Sequence, residues 1–176
     1  MRRLLPILGL AFVSLHAATL EYLSLDDMAK KSTAIVRGRV QSCAGQFRGS
    51  VIFTHCTVSV TEQWKGTSGP VVDVATPGGS AKGMAQNFSG SPKLLPGEEY
   101  VLFLWTGKSG MTQVIGLSQG VFDLKPDAKG QAVAQRAATT ERMLDASGNV
   151  ISDSPVEMRV RELKAQVMKS LTGEVK

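Results

Sequence analysis

Apolar and polar residues alternate over long stretches of the chain, and this pattern predicts β-strands. Between Thr33 and Cys43, small or apolar residues alternate with Arg37, Arg39 and Gln41. The alternation from Val51 onward is longer, and it places on one face Ile52, Cys56, Val58, Val60 and Trp64. Because successive side chains of a strand point to opposite faces, both stretches predict strands with one buried face.

Shorter apolar runs predict the remaining strands. They lie at residues 71–76, 84–89, 100–105, 111–116, 119–124 and 131–136. The run from Tyr100 to Trp105 is apolar throughout, so we expect both of its faces to be covered.

Two helices are predicted from capping patterns. Ser24 and Asp27 have the spacing of a capping box, which predicts a short helix from Leu25 to about Lys31. Residues 154–157 form a second such pattern with a proline at the first helical position, which predicts a helix over residues 154–176. Its apolar stripe consists of Val156, Val160, Leu163, Val167 and Leu171. We expect this helix to cover the outer face of the strand at residues 100–105.

The two cysteines, Cys43 and Cys56, lie symmetrically about a turn at Gly49 and Ser50. A hairpin with this turn brings the sulfurs opposite each other, which favours a disulfide over free thiols or part of a metal site. However, Cys56 falls on the apolar face of its strand, whereas strict alternation puts Cys43 on a polar face. We therefore predict one extra residue, a β-bulge, at Gln41–Ser42.

Together these elements predict a mainly β fold. The expected architecture is a small OB-like closed or half-closed barrel, with a short N-terminal helix and a C-terminal helix packed outside. An open sandwich is the alternative. The predicted organisation is a signal peptide at residues 1–17, the barrel domain at 18–125, an irregular or mobile connection at 126–153 and the amphipathic helix at 154–176.

The start of the chain has the pattern of a secretory signal peptide. Arg2 and Arg3 precede an uncharged, mostly apolar run from Leu4 to Leu15, and Ala17 and Ala18 follow. A run of about a dozen residues is shorter than the ~20 that a membrane-spanning helix needs. We therefore expect a secreted or periplasmic protein with no membrane attachment after cleavage. A retained membrane anchor is the alternative.

The distribution of charge argues against nucleic acid as a partner. The formal net charge is +5, two of these charges belong to the leader, and the other basic residues are scattered along the sequence. Nucleic-acid binding usually needs basic residues clustered on one face, often interleaved with aromatic residues.

Two glycine-rich stretches resemble functional motifs but lack their context. Ser118 lies in a G-x-S-x-G pattern, the nucleophile elbow of hydrolases, yet a strand rather than a helix is predicted after it. His55, the one histidine outside the leader, lies upstream, against the order of that fold. Residues 78–83 resemble a phosphate loop without its usual ending or a following helix. We therefore expect no catalytic residue, metal or cofactor, and a hydrolase using Ser118 is the least favoured function.

The favoured function is an exported, non-enzymatic binding or interaction module for an unknown protein, peptide or glycan. The candidate binding residues come from the loop at residues 77–96 and from nearby aromatic positions: Gly78, Gly79, Lys82, Phe88, Tyr100 and Trp105. The alternative is a protease inhibitor that uses the loop from Pro77 to Pro96.

Several strings resemble a group of exported bacterial proteins of uncharacterised function. They lie at residues 34–40, 52–54, 62–66, 77–79, 96–104 and 116–120. That group is similar to the netrin-like barrel of the tissue inhibitors of metalloproteinases, which implies an OB-like barrel here. Those inhibitors insert an N-terminal cysteine at the protease zinc. This chain has no cysteine near Ala18, so the resemblance implies no inhibitory residue.

Overall fold

The computed structural model describes residues 19–173, so the signal-peptide prediction for residues 1–17 lies outside the described residues. The helices are α1 (Leu25–Lys31) and α2 (Val160–Thr172). The strands are β1 (Thr19–Glu21), β2 (Ala34–Arg48), β3 (Val51–Lys65), β4 (Val71–Pro77), β5 (Gly79–Ala81), β6 (Met84–Gln86), β7 (Glu99–Thr106), β8 (Thr112–Val114), β9 (Val121–Pro126), β10 (Ala132–Arg136), β11 (Arg142–Leu144), β12 (Val150–Ile151) and β13 (Val156–Arg159).

Five of the strands form a ring. β2, β3 and β4 are an antiparallel meander, β7 pairs antiparallel with β2 and β8, and β8 closes the ring on β4. The closing pair is parallel and consists of Ala75 opposite Gln113, so this seam is the weakest in the ring. The predicted mainly β, OB-like barrel is therefore confirmed. β9, β10 and β13 extend the sheet from β7, past the predicted domain boundary at residue 125.

The predicted bulge and disulfide are both confirmed. The register between β2 and β3 steps from Val40 directly to Ser42, so Gln41 has no partner on β3. That extra residue brings Cys43 directly opposite Cys56, and a disulfide joins them. One unpaired residue thus reconciles the apolar alternation of both strands with the cross-link.

Two apolar clusters lie on the two faces of the ring. The interior cluster includes Val36, Val40, Cys56, Val58, Val74, Tyr100, Leu102, Leu104 and Val114. The outer cluster, under the helices, includes Ile35, Val101, Phe103, Phe122, Val160, Leu163 and Val167. β7 contributes alternate residues to both clusters, as its unbroken apolar run predicts. The C-terminal helix packs outside the barrel, as predicted, in the same cluster as the outward residues of this strand, and it shares that face with α1.

The prediction that Trp64 shares a face with Val58 is wrong. The β2–β3 register also skips Thr61, and this second bulge reverses the alternation beyond it. Trp64 itself is skipped at a third irregularity. Trp64 consequently packs in the outer cluster with Ala29 of α1, whereas Val58 points into the barrel.

The C-terminal helix begins later than predicted. Residues Val156–Arg159 pair with β10 as strand β13, and α2 begins at Val160. Pairing with β10 satisfies backbone groups that a helix beginning at Ser154 would have satisfied internally, and it leaves Val156 packed against the outer cluster. Three residues of the predicted stripe are buried: Val160, Leu163 and Val167.

The segment at residues 126–153 is not the irregular connection that the sequence predicts. It contains β10, close to the edge strand expected at residues 131–136, and the unpredicted hairpin of β11 and β12. β11 also pairs in parallel with β1. The three short strands β1, β11 and β12 therefore form a small sheet beside the barrel.

Candidate functional site

A cleft of about 640 Å³ lies between β1, β8 and a short 3-10 helix at Leu117–Gly120. Its volume is in the range of small-ligand sites. Most of its lining is apolar, contributed by Leu20, Leu23, Trp105, Val114, Ile115 and Leu117. The cleft lies where the small sheet of β1, β11 and β12 meets the end of the barrel.

A left-handed turn shapes one side of the cleft. Gly116 and Leu117 have φ angles of 62° and 56°. A Cβ atom on Gly116 would lie 2.9 Å from the Leu23 Cδ1 atom, so glycine is needed both for the conformation and for the close approach.

The Gln119 side chain links the 3-10 helix to the strand on the opposite side of the cleft. It is 1% exposed, and its Nε2 donates to the Glu21 carbonyl at 2.9 Å. Its Oε1 accepts from the Leu23 N–H, also at 2.9 Å. A buried amide with both ends bonded is a fixed structural element, so Gln119 positions β1 against the barrel.

Trp105 supplies exposed aromatic surface at the end of β7. The residue is 46% exposed and lines the cleft, and its predicted role as a binding residue stays a prediction. Gly107 leaves room for its ring, since a Cβ atom there would lie 2.8 Å from the indole Cη2. A large aromatic surface beside an apolar cleft is typical of a binding site.

The polar rim of the cleft carries one ion pair. Lys31 Nζ lies 2.6 Å from a Glu21 carboxylate oxygen, and about half or more of each side chain is exposed. The hydrogen bond to Glu21 raises the pKa of Lys31 above its ordinary value, so this rim carries a lysine cation at neutral pH.

The other predicted binding residues lie elsewhere. Gly78, Gly79 and Phe88 line a second groove of about 360 Å³ beside the β5–β6 hairpin, where Phe88 is 42% exposed. Lys82 lies in the exposed turn of that hairpin with a φ of 49°, and it does not line the groove. The structure therefore brings three of the six residues together and separates them from Trp105.

Tyr100 is wrong as a surface binding residue. It is 2% exposed in the barrel interior, and its hydroxyl accepts from the Leu95 N–H at 3.1 Å. Burial raises the pKa of the phenol. The apolar run that predicts burial on both faces of this strand already explains why the ring lies inside.

The loop from Pro77 to Pro96 folds back on the barrel. The Gln86 Oε1 accepts from the Ile52 N–H at 2.7 Å, and its Nε2 donates to the Ser50 carbonyl at 2.9 Å. β5 packs so closely on β2 that a Cβ on Gly45 would lie 2.0 Å from the Ser80 carbonyl oxygen. The use of this loop for protease inhibition stays a prediction.

The surroundings of Ser118 differ from those of a nucleophile elbow. Ser118 lies in the 3-10 helix, its N–H donates to the Gly90 carbonyl at 3.1 Å, and strand β9 follows directly. His55 Nδ1 lies 2.7 Å from an Asp73 carboxylate oxygen, across the β3–β4 pairing. In a nucleophile elbow a helix follows the serine, whereas in this chain a strand follows it.

A charged cluster joins β2, β3 and α2 on another face. Glu62 accepts from Lys164 Nζ at 2.8 Å, from Arg37 Nη1 at 2.9 Å and from Trp64 Nε1 at 3.2 Å. These contacts, led by the hydrogen bond from Lys164, lower the pKa of Glu62 to about 2. The Lys164 ammonium also lies 5.9 Å from the centre of the Trp64 ring. The cluster ties the first half of α2 to the barrel, which explains its geometry without a ligand.

Comparison of the chain with protein-family models, curated proteins and solved structures finds no match. The resemblance to netrin-like barrels therefore stays a prediction. Among residues 19–173, no three His, Cys, Asp or Glu side chains are grouped so that they could hold a metal ion. No helix in that range has the length and apolar character to cross a bilayer.

Sequence reasoning missed most of the cleft. Leu20 and Leu23 directly follow the predicted leader, and β1 has only three residues. Such a short strand shows no alternation that would predict it. Gln119 lies within a stretch predicted as the start of a strand. An available signal was Gly116, since glycine favours the left-handed conformation with which the chain turns away from β8.

Proposed function

We propose that this protein is an exported, non-enzymatic binding module that takes its ligand in the cleft between β1 and β8. The observation that carries the proposal is the exposed Trp105 indole beside a mostly apolar cavity of about 640 Å³. Preformed concave sites with apolar walls and a few polar groups are the usual form of ligand sites. Here the polar groups are Gln113 and the Lys31–Glu21 pair.

Export is supported by two features. The leader pattern at residues 1–17 is that of a secretory signal, and Cys43 and Cys56 form a disulfide. Structural disulfides persist mainly in oxidising compartments such as the periplasm or the extracellular space. The non-enzymatic assignment is supported by the strand that follows Ser118 and by the buried, fully bonded Gln119 beside it.

The proposal is tested by locating where a weakly binding apolar probe binds to the protein. The probe is anilinonaphthalene sulfonate, which binds exposed apolar surface, and the readout is its fluorescence together with amide-resolved NMR shifts. We expect shifts to cluster at Leu20, Val114, Ile115 and Leu117, and Trp105→Ala to weaken binding by about tenfold, in line with the loss of a central aromatic contact.

Phe88→Ala is the matched control, because it removes a similarly exposed aromatic side chain from the other groove. Binding that depends on Phe88 and not on Trp105 would place the ligand site at the β5–β6 hairpin and contradict the proposal.

A further inference from the structure

β1 has one paired edge and one edge that faces the cleft. The Tyr22 N–H donates to the Leu144 carbonyl at 2.8 Å, on the side of β11. Alternate residues of a strand direct their backbone groups to opposite edges. Glu21 and Leu23 therefore direct theirs to the cleft side, where both bond the side chain of Gln119.

The Gln119 amide reproduces the hydrogen bonds of one residue in a parallel strand. In a parallel pair, a residue donates its N–H to one carbonyl and accepts from the N–H two residues further along the partner. The Gln119 Nε2 donates to Glu21, and its Oε1 accepts from Leu23. Gln119 thus occupies the strand position opposite Tyr22.

A second glutamine shows how the chain completes such an edge elsewhere. Gln86 bonds the Ser50 carbonyl and the Ile52 N–H in the same pattern. There the next position along the edge is filled, because the Gly78 N–H donates to the Ile52 carbonyl at 2.8 Å and β4 continues the pairing.

At β1 the position before Gln119 along the edge, opposite Leu20, is open within residues 19–173. Among residues 19–173, no strand pairs with the cleft edge of β1, and no backbone or side-chain oxygen accepts from the Glu21 N–H. A residue opposite Leu20 would accept from the Glu21 N–H and donate to the Thr19 carbonyl. A parallel direction is favoured, because an antiparallel residue opposite Glu21 would find its carbonyl already bonded by Gln119, whereas a parallel residue opposite Leu20 makes both bonds.

We infer that the ligand of the cleft is the C-terminal end of an extended apolar peptide, which adds to the β1 edge as a parallel strand. This inference rests on the proposed function of the cleft. A parallel peptide runs toward Gln119, which blocks the next position, so the peptide ends there. Its terminal carboxylate shares Lys31, the cation of the cleft lining, with the Glu21 carboxylate that Lys31 contacts at 2.6 Å. An apolar side chain of the peptide enters the cavity beside Trp105. Strand addition of this kind combines backbone hydrogen bonds with side-chain pockets.

The test uses a pentapeptide of alternating threonine and leucine with a free C-terminal carboxylate. Two matched peptides carry either a C-terminal amide or N-methyl groups on the last two residues. We expect the free acid to bind, and each altered peptide to bind at least about fivefold more weakly, as expected for the loss of one hydrogen bond or charge contact. In amide-resolved NMR, the Glu21 N–H should move downfield and exchange more slowly when the peptide is bound.

Two variants of the protein separate the backbone from the side chain. Glu21→Pro removes the N–H at the open position, whereas Glu21→Ala keeps it, and both lack the carboxylate that pairs with Lys31. Neither changes the Tyr22 N–H that bonds β11. We expect Glu21→Pro to bind the free-acid peptide at least about fivefold more weakly than Glu21→Ala does. If Glu21→Pro proves unstable, the N-methylated peptide gives the same comparison on the unaltered protein.

Several outcomes overturn the inference. If anilinonaphthalene sulfonate binds in the cleft but N-methylation does not weaken the peptide, the ligand is not an added strand, although the cleft remains the binding site. A Glu21 N–H that is protected without peptide would mean that the edge is taken by another part of the chain, or by a second copy if the protection depends on concentration. If neither probe binds, the proposed function itself fails.

Discussion

The cleft has two walls that are held in place in different ways. One wall, here called the barrel wall, consists of β7 and β8 and belongs to the closed ring. The other, here called the β1 wall, consists of the short strands β1, β11 and β12. The barrel wall rests on two large apolar clusters. In the β1 wall, Met143 is the one fully buried strand residue among those described, and it belongs to neither cluster.

Polar contacts hold the β1 wall to the rest of the molecule. Gln119 bonds the backbone on both sides of Tyr22, and Arg136 forms a bidentate pair with Asp153 at 2.8 Å. The Asp153 side chain is almost fully buried. Burial alone would raise its pKa, but the hydrogen bond from Arg136 helps to keep the pKa below the ordinary value. Regions with few buried apolar contacts open locally at lower free energy than a core does. The comparison therefore indicates that the β1 wall opens at lower free energy than the barrel wall.

The largest effect is expected from a change in the apolar support of the barrel wall. Phe103 is fully buried in the outer cluster, and its ring centre lies 5.7 Å from that of Phe122. Phe103→Ala should lower the free energy of unfolding by about 3–5 kcal/mol through lost burial and a cavity, measured by urea denaturation. A loss below about 1 kcal/mol would mean that the outer cluster does not support the barrel.

The disulfide should have the next largest effect. Replacing both cysteines, Cys43→Ser and Cys56→Ser, removes a link that closes a short loop, which is worth about 3 kcal/mol on the chain-entropy model. Denaturation of the unaltered protein under reducing conditions should show a similar loss. Thiol titration of the unreduced, denatured protein should find no free thiol at these two positions, and two free thiols would contradict the structure.

A change in Gln119 should act mainly on the β1 wall. Gln119→Leu leaves the Glu21 carbonyl and the Leu23 N–H without partners and should cost about 1–3 kcal/mol. We expect the β1 amides to lose protection in hydrogen exchange and the apolar probe to bind the cleft less well.

Gln86→Leu is the matched control, because it removes the same pattern of bonds from Ser50 and Ile52, at the turn between β2 and β3. It should leave the β1 amides unchanged. Equal effects of both substitutions on β1 would remove the distinction between the two walls.

The smallest effect concerns acid and the charged cluster of Glu62. Its pKa is lowered to about 2 in the folded protein, chiefly by Lys164. A lowered pKa stabilises the fold above the unfolded-state pKa of about 4.5, and this contribution is lost as the pH falls from there toward 2. Because a third of the side chain is exposed, we expect at most about 1 kcal/mol.

Glu62→Gln should flatten the fall in stability over this acidic range, measured as urea midpoints. Glu157→Gln is the control, since that carboxylate lies on the edge strand β13 and contacts Gln135 at 3.2 Å. An unchanged pH profile for Glu62→Gln would contradict the assignment.

The sequence predicts the ring of the barrel much better than the β1 wall. Long alternation of apolar and polar residues predicts β2 and β3. Strict alternation puts Cys43 and Cys56 on opposite faces, and this conflict is enough to locate the bulge at Gln41. The second bulge at Thr61 has no such marker, which is why Trp64 was assigned to the wrong face. A register shift becomes predictable only where a second constraint, here the disulfide, conflicts with the alternation.

The β1 wall depends on signals that are weak in sequence. Its strands have two or three residues, too few to show a period. The β11–β12 hairpin nevertheless has a local cue: Asp145 accepts from the Asn149 N–H at 2.8 Å, and Gly148 has a φ of 82°. The β9–β10 turn repeats this arrangement with Asp127, Gly130 and Gln131. An Asp-Ala-x-Gly pattern in both places could have indicated two hairpins.

The measurement that tests the account most directly is amide hydrogen exchange of the protein with and without the threonine–leucine peptide. Without peptide, we expect the β1 amides to exchange through openings of lower free energy than those of Ile35 and Leu102 in the barrel. With saturating peptide, exchange at β1 should slow while the barrel amides stay unchanged. Equal opening free energies in both walls, or peptide protection that falls on the barrel alone, would contradict a cleft whose β1 wall opens at lower free energy than its barrel wall.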